Sequence, residues 1–216
     1  MDVEDAKLIE DLALPYRAAT AMRIFMRRGA AAVPVLVEGL QHSDAEARYQ
    51  CCRLLDQLLT PGAMQPLLKM LDDPDARVRV SALHSLSCDR CKTDICLATD
   101  GPLLKKAIQL LDTDPDAHVR AMAIEAVARS SHTEPTAEAA IVRSMSTDAS
   151  SVVRKKARWY APGGKIHERS KVRHHQQASR TGDGRLVRVR PAAKPSALSA
   201  MARPRAGSPD ADSIPV

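Results

Sequence analysis

Apolar residues in this chain recur at helical rather than strand spacing, and they do so in paired segments. One pair is GPLLKKAIQLL at 101–111 followed by HVRAMAIEAV at 118–127. In the second member Val119, Met122, Ala123, Ala126 and Val127 return every three or four residues and draw one apolar stripe along a helix. The pair before it has the same order, MQPLLKML at 64–71 and then RVRVSALHSL at 77–86. A third kind of segment separates the members of each pair, short and polar, and it is this segment that repeats most plainly.

Leu71-Asp72-Asp73-Pro74-Asp75-Ala76-Arg77-Val78-Arg79 returns as Leu111-Asp112-Thr113-Asp114-Pro115-Asp116-Ala117-His118-Val119-Arg120. A weaker copy stands at His42-Ser43-Asp44-Ala45-Glu46-Ala47-Arg48 and another at Thr147-Asp148-Ala149-Ser150-Ser151-Val152-Val153-Arg154. The aligned arginines Arg48, Arg79, Arg120 and Arg154 are separated by steps of 31, 41 and 34 residues. Aspartate and proline have a mechanical use at such a junction. Aspartate accepts from the free N–H groups that open the next helix, and proline fits the first turn, where no hydrogen bond is missed. Gly62 and Gly101 are expected to punctuate the opposite turns. One arginine per repeat at one register, each close to an aspartate, suits an internal ion-pair ladder.

A helix pair of this length cannot bury its apolar face alone and must stack on neighbours. The recurring apolar helix, Asp-Pro-Asp-x-x-Val-Arg turn and second helix resemble the HEAT-repeat family over roughly residues 30–160. The resemblance implies an all-α fold, a right-handed α-solenoid of four to five helix pairs, with the second helix of each pair on the concave face. It also implies a ladder between repeats, for which the candidate residues are Asp75, Arg79, Asp116 and Arg120, with Arg48 and Arg154. Residues 1–29 read as capping helices, 3–14 and 16–28, broken at Pro15. The last helix, SSVVRKKARWY, ends near Ala161-Pro162-Gly163-Gly164.

Composition sharpens this picture. Hydrophobic residues make up 44% of the 216 positions but aromatics only 2%, so the core is expected to be built from Leu, Ala, Val and Met on closely packed helices. The formal charge of +6 is not spread evenly: residues from Ala161 onward carry eleven Lys or Arg against four Asp or Glu, which leaves −1 on the first 160. Residues 161–216, rich in Pro, Gly, Ser, Ala and Arg, are expected to form a basic disordered tail. Its densest approach to the array is Arg154, Lys155, Lys156 and Arg158 beside Trp159 and Tyr160, the candidate contact for phosphate.

The step of 41 residues reflects an insertion at 88–100 that contains Cys88, Cys91 and Cys96. His84 lies one helical turn before Cys88, so His84, Cys88, Cys91 and Cys96 are a candidate zinc set; reduced thiols in a surface loop are the plainer alternative. Cys51 and Cys52 sit mid-helix, where at least one faces the core. Five cysteines, no secretory h-region and no apolar run of about 18 residues point to a reducing cytoplasm. No phosphate-binding glycine loop, G-x-S-x-G or H-E-x-x-H is present. The leading expectation is therefore a non-enzymatic scaffold that takes a protein or peptide partner on the concave face. The alternatives are nucleic-acid association through 154–190 and, on the repeat alone, a likeness to phycobilin lyases, which attach a bilin to a partner's cysteine.

Overall fold

The computed structural model describes residues 2–88 and 101–170, all within one compact unit, Met1–His175. These residues are helical almost throughout. Two helices open the chain, α1 (Val3–Ala13) and α2 (Ala18–Arg28). Four pairs follow: α3 (Val33–Gly39) with α4 (Ala45–Gln57), α5 (Pro61–Lys69) with α6 (Ala76–Ser87), α7 (Pro102–Thr113) with α8 (Ala117–Ala128), and α9 (Pro135–Thr147) with α10 (Ser151–Tyr160).

The junctions form for the reasons their residues suggest. Asp44, Asp75 and Asp116 each hold an extended backbone before a second helix, and each side chain accepts from the first free N–H groups: Glu46 at 2.7 Å, Arg77 at 2.8 Å and His118 at 2.7 Å. Proline opens α5, α7 and α9. Gly101 turns the chain into α7 at φ +79°, a conformation that side chains disfavour. Gly62, expected in a turn, lies instead within α5, because Pro61 starts that helix one residue earlier.

Two layers result. The second helices stack in order, α4 on α6, α6 on α8 and α8 on α10, with α1 continuing the row beside α4. The first helices α3, α5, α7 and α9 form the other layer. Between them lies a core of Leu, Val, Ile and Ala in which Phe25 is the one fully buried aromatic ring among the described residues. Close approach substitutes for bulk. At Gly39 an added Cβ would stand 2.6 Å from Cys51 Sγ and 2.8 Å from Ile9 Cδ1, so α1, α3 and α4 meet there only because no side chain intervenes.

Helical packing does not stop at Tyr160. Ala161 is buried, the chain turns at Gly163 (φ +79°), and residues 165–170 are helical again with His167 buried. The expected tail boundary at Ala161 therefore falls within packed structure, held by an apolar small residue and a histidine that composition alone does not mark as core. The remainder of the tail, 171–216, lies outside the described residues.

Candidate interaction surface

The arginine of each repeat is fixed by its own turn. Nη1 of Arg48 donates to the carbonyls of His42 and Ser43, both at 2.9 Å; Nη1 of Arg79 donates to those of Asp73 (2.8 Å) and Pro74 (3.0 Å); Nη1 of Arg120 donates to those of Asp114 (2.8 Å) and Pro115 (3.2 Å). The remaining edge of the guanidinium reaches the next repeat. Arg48 Nε and Nη2 donate to the two oxygens of Asp73 at 2.7 and 3.0 Å, Arg79 to those of Asp114 at 2.8 and 2.9 Å, and Arg120 to those of Asp148 at 2.8 and 3.0 Å. A planar fork meeting a carboxylate with two parallel bonds is the strongest form this pair takes.

The ladder carboxylates are thus Asp73, Asp114 and Asp148. Asp75 and Asp116, expected as rungs, cap helices instead, because the side chain two residues nearer the preceding helix is the one that faces the previous repeat's arginine. In the sequence the two roles separate only in the outer copies, where the first turn has His42 and Asp44 at the two positions and the fourth has Asp148 and Ser150. Each rung aspartate also accepts from the N–H two residues on: Asp75 at 2.8 Å, Asp116 at 2.9 Å and Ser150 at 2.7 Å. The hydrogen bonds to Asp73, Asp114 and Asp148 hold the Arg48, Arg79 and Arg120 guanidinium groups above their ordinary pKa against the effect of burial. Burial raises the Asp148 carboxyl, but the bonds from Arg120 and the Ser150 N–H outweigh it and hold the group below the usual range.

With the arginine fixed, the rest of each second helix falls into register at 100° per residue. The positions two before, one after and five after the ladder arginine stay accessible. They are Glu46, Tyr49 and Arg53 on α4, and Arg77, Val80 and His84 on α6. On α8 they are His118, Ala121 and Glu125, and on α10 Val152, Lys155 and Trp159. One face therefore runs unbroken across four helices. Arg53 and Arg77 lie over the Tyr49 ring at 5.7 and 5.6 Å, and Arg77 also pairs with Glu46 at 2.7 Å. At the far end Lys155 lies 5.9 Å from the Trp159 ring, and Lys156 pairs with Glu125 at 2.6 Å.

The four cations grouped as a phosphate contact do not share one surface. Arg154 is pinned at the turn, with Nη1 donating to the carbonyls of Asp148 (2.6 Å) and Ala149 (3.0 Å); Lys156 is engaged by Glu125; Lys155 covers Trp159; Arg158 is exposed. Consecutive residues on a helix point in different directions, which a run of basic letters conceals. Trp159, at 44% exposure, faces outward rather than closing the apolar face, a role Tyr160 fills.

Of the candidate zinc set, Cys91 and Cys96 lie outside the described residues. Cys88 ends α6, its N–H donating to the His84 carbonyl at 2.8 Å, and His84 Nε2 stands 3.7 Å from Asp56 Oδ2. Among the described residues no group of three or more His, Cys, Asp or Glu side chains is arranged to hold a metal. Cys51 and Cys52 are both core, and burial pushes the Cys51 thiol up to about 12 and Cys52 further. A cleft between α7, α9 and the turns that follow them is lined by Asp112, Arg120, Arg143 and Asp148, whose charges already pair with one another. No helix among the described residues is long and apolar enough to cross a membrane.

Comparison with known proteins agrees with this architecture. Residues 7–87 match the family of HEAT repeats. Among solved structures, the complex of CpcE and CpcF of phycocyanin lyase from Nostoc sp. PCC7120 is similar at 22% identity and a TM-score of 0.57, covering 72% of this chain and 97% of that one. An engineered protein is similar at 21% identity and a TM-score of 0.46, covering 74% of this chain and 78% of its own. No curated protein sequence matches. Residues 7–87 match HEAT repeats, and the helix pairs beyond them continue the same stacking through Tyr160.

Proposed function

We propose that this chain is a non-enzymatic interaction scaffold whose partner, a protein or peptide, lies along the accessible face of α4, α6, α8 and α10. The observation that carries the reading is the register. The same three positions stay open on α4, α6, α8 and α10, whereas most positions between them are spent on the core and the ladder. Tyr49 between two arginines and Trp159 beside a lysine place amphipathic anchors at both ends of that face, the residue types that dominate binding energy in interfaces.

The test is capture of partners by the full chain with Arg53→Glu, Lys155→Glu and Trp159→Ala, against Lys105→Glu on the exposed side of α7 as control. Loss in the first three with retention in the control, unaffected by nuclease, supports the reading. Retention by all three removes this face from consideration. Nucleic-acid association has less to stand on, since the cations of α10 are divided among different contacts; binding that nuclease abolishes would favour it. The likeness to the phycocyanin lyase complex is one of fold and brings no activity with it. Zinc in the 88–100 insertion is a separate question, decided by elemental analysis of protein purified without chelator, with Cys88→Ser and Cys91→Ser alongside.

A further inference from the structure

Arg154 occupies the register of Arg48, Arg79 and Arg120 and makes the same two Nη1 bonds to its own turn, at 2.6 and 3.0 Å. In the three earlier repeats the Nε and Nη2 edge held in this way receives both oxygens of an aspartate. Among the described residues no carboxylate meets that edge of Arg154. The surrounding helix differs from its predecessors as well. Four residues beyond the ladder arginine, α4, α6 and α8 carry Cys52, Leu83 and Ile124, all fully buried. The same position of α10 is Arg158, exposed. At this position α10 therefore offers a charge where the earlier second helices offer a buried apolar side chain. It presents two arginines, one already oriented for a carboxylate.

The first turn of the ladder lacks a rung aspartate as well. The rung position of the first turn is His42, whose Nδ1 accepts from the Asp44 N–H at 3.1 Å just as the rung aspartates accept from the N–H two residues on. We propose that the Arg154–Arg158 end is a docking site for an aspartate-bearing turn of a partner protein. The partner supplies a rung carboxylate to Arg154 and further negative charge to Arg158. This surface is distinct from the accessible face of the second helices.

The full-length, 15N-labelled chain tests this through the Nε–H resonance of Arg154, assigned with Arg154→Lys. The probe is a peptide with the sequence of residues 111–119, whose Asp114 is a native rung, compared with the same peptide carrying Asp114→Asn and with inorganic phosphate. The aspartate peptide is expected to shift the Arg154 signal at about tenfold lower concentration than either comparison, because two charge-assisted bonds are lost without it. The Arg48, Arg79 and Arg120 signals should stay in place, and Arg158→Ala should weaken the effect several-fold. Equal response to both peptides, or no response, overturns the proposal. Tighter response to phosphate overturns it in favour of phosphate chemistry. A shift that follows protein concentration without peptide overturns it in favour of self-association.

Discussion

Arg79 and Asp114 form two hydrogen bonds, at 2.8 and 2.9 Å, across 35 residues of chain that include the whole 88–100 insertion. The rung is also the most enclosed of the three, with side chains 10% and 3% exposed. At the other end of α6, Arg129 Nη1 donates to the Ser87 carbonyl at 2.7 Å, where the helix gives way to the insertion. The repeats on either side of the insertion are thus joined by side chains before and after it in the chain.

Breaking that rung leaves a buried charge without its partner. Arg79→Ala or Asp114→Ala is expected to cost about 3–5 kcal/mol, which for a domain of this size lowers Tm by roughly 6–20 °C. Arg79→Lys should recover only part of the loss, since a point ammonium cannot hold two carbonyls and both carboxylate oxygens at once. Thermal melts followed by circular dichroism measure all three. A change below about 1 kcal/mol would show that the rung behaves as a surface pair.

Stability should decline on both sides of neutrality, for different groups. Asp75 and Asp148 are held below the ordinary carboxylate range, Asp75 chiefly by its bond from Arg77 and Asp148 by Arg120 and Ser150 against the pull of burial. Their contribution is complete above about pH 5 and is lost as pH falls through their lowered values. Cys51 is raised to about 12, so its contribution is complete below the unfolded thiol value near 8.5 and fades as pH rises toward 12. Melting temperature against pH checks both limbs. Asp148→Asn should flatten the acid limb, and Cys51→Ala the alkaline one, at the cost of lower stability throughout.

Thiol labelling separates the cysteines by burial. Cys51 and Cys52 are fully buried and protonated at neutral pH, whereas Cys88 is partly accessible. Iodoacetamide on the native protein should modify Cys88 and leave Cys51 and Cys52 intact until denaturant is added, as read by peptide mass spectrometry. Modification of Cys51 or Cys52 in the native state would mean that α4 opens locally.

Gly39→Ala should destabilise by about 1–3 kcal/mol, since the new methyl meets Cys51 Sγ at 2.6 Å and Ile9 Cδ1 at 2.8 Å. Adding Ile9→Val, which removes the Cδ1 methyl, should recover part of the loss. Additive losses in the double variant would place the strain elsewhere.

Much of the helix plan can be read directly from the letters. Pro15 breaks α1 from α2, the Asp-Pro-Asp turns precede α6 and α8, and the four arginines mark the repeats. Which aspartate of each turn is the rung is harder to read, because capping and bridging both call for a short carboxylate and the candidates lie two residues apart. Burial of His167 leaves no trace in sequence, since its packing depends on contacts with residues distant in the chain, including the His132 ring 4.2 Å away. The run Arg154-Lys155-Lys156-Ala157-Arg158 reads as one patch on paper. Helix geometry turns it into separate contacts, one shared with the ladder and one with Glu125.

Each rung joins the arginine of one repeat to the aspartate of the next, and never reaches further. A block cut just after Arg79 and just after Arg120 begins by offering Asp114 and ends by offering Arg120. Excising or duplicating such a block leaves each guanidinium ahead of Arg154 with a carboxylate in the next repeat, so the array can change length by whole units without rewriting its junctions. Gene duplication acting on this chain would find its seams already matched.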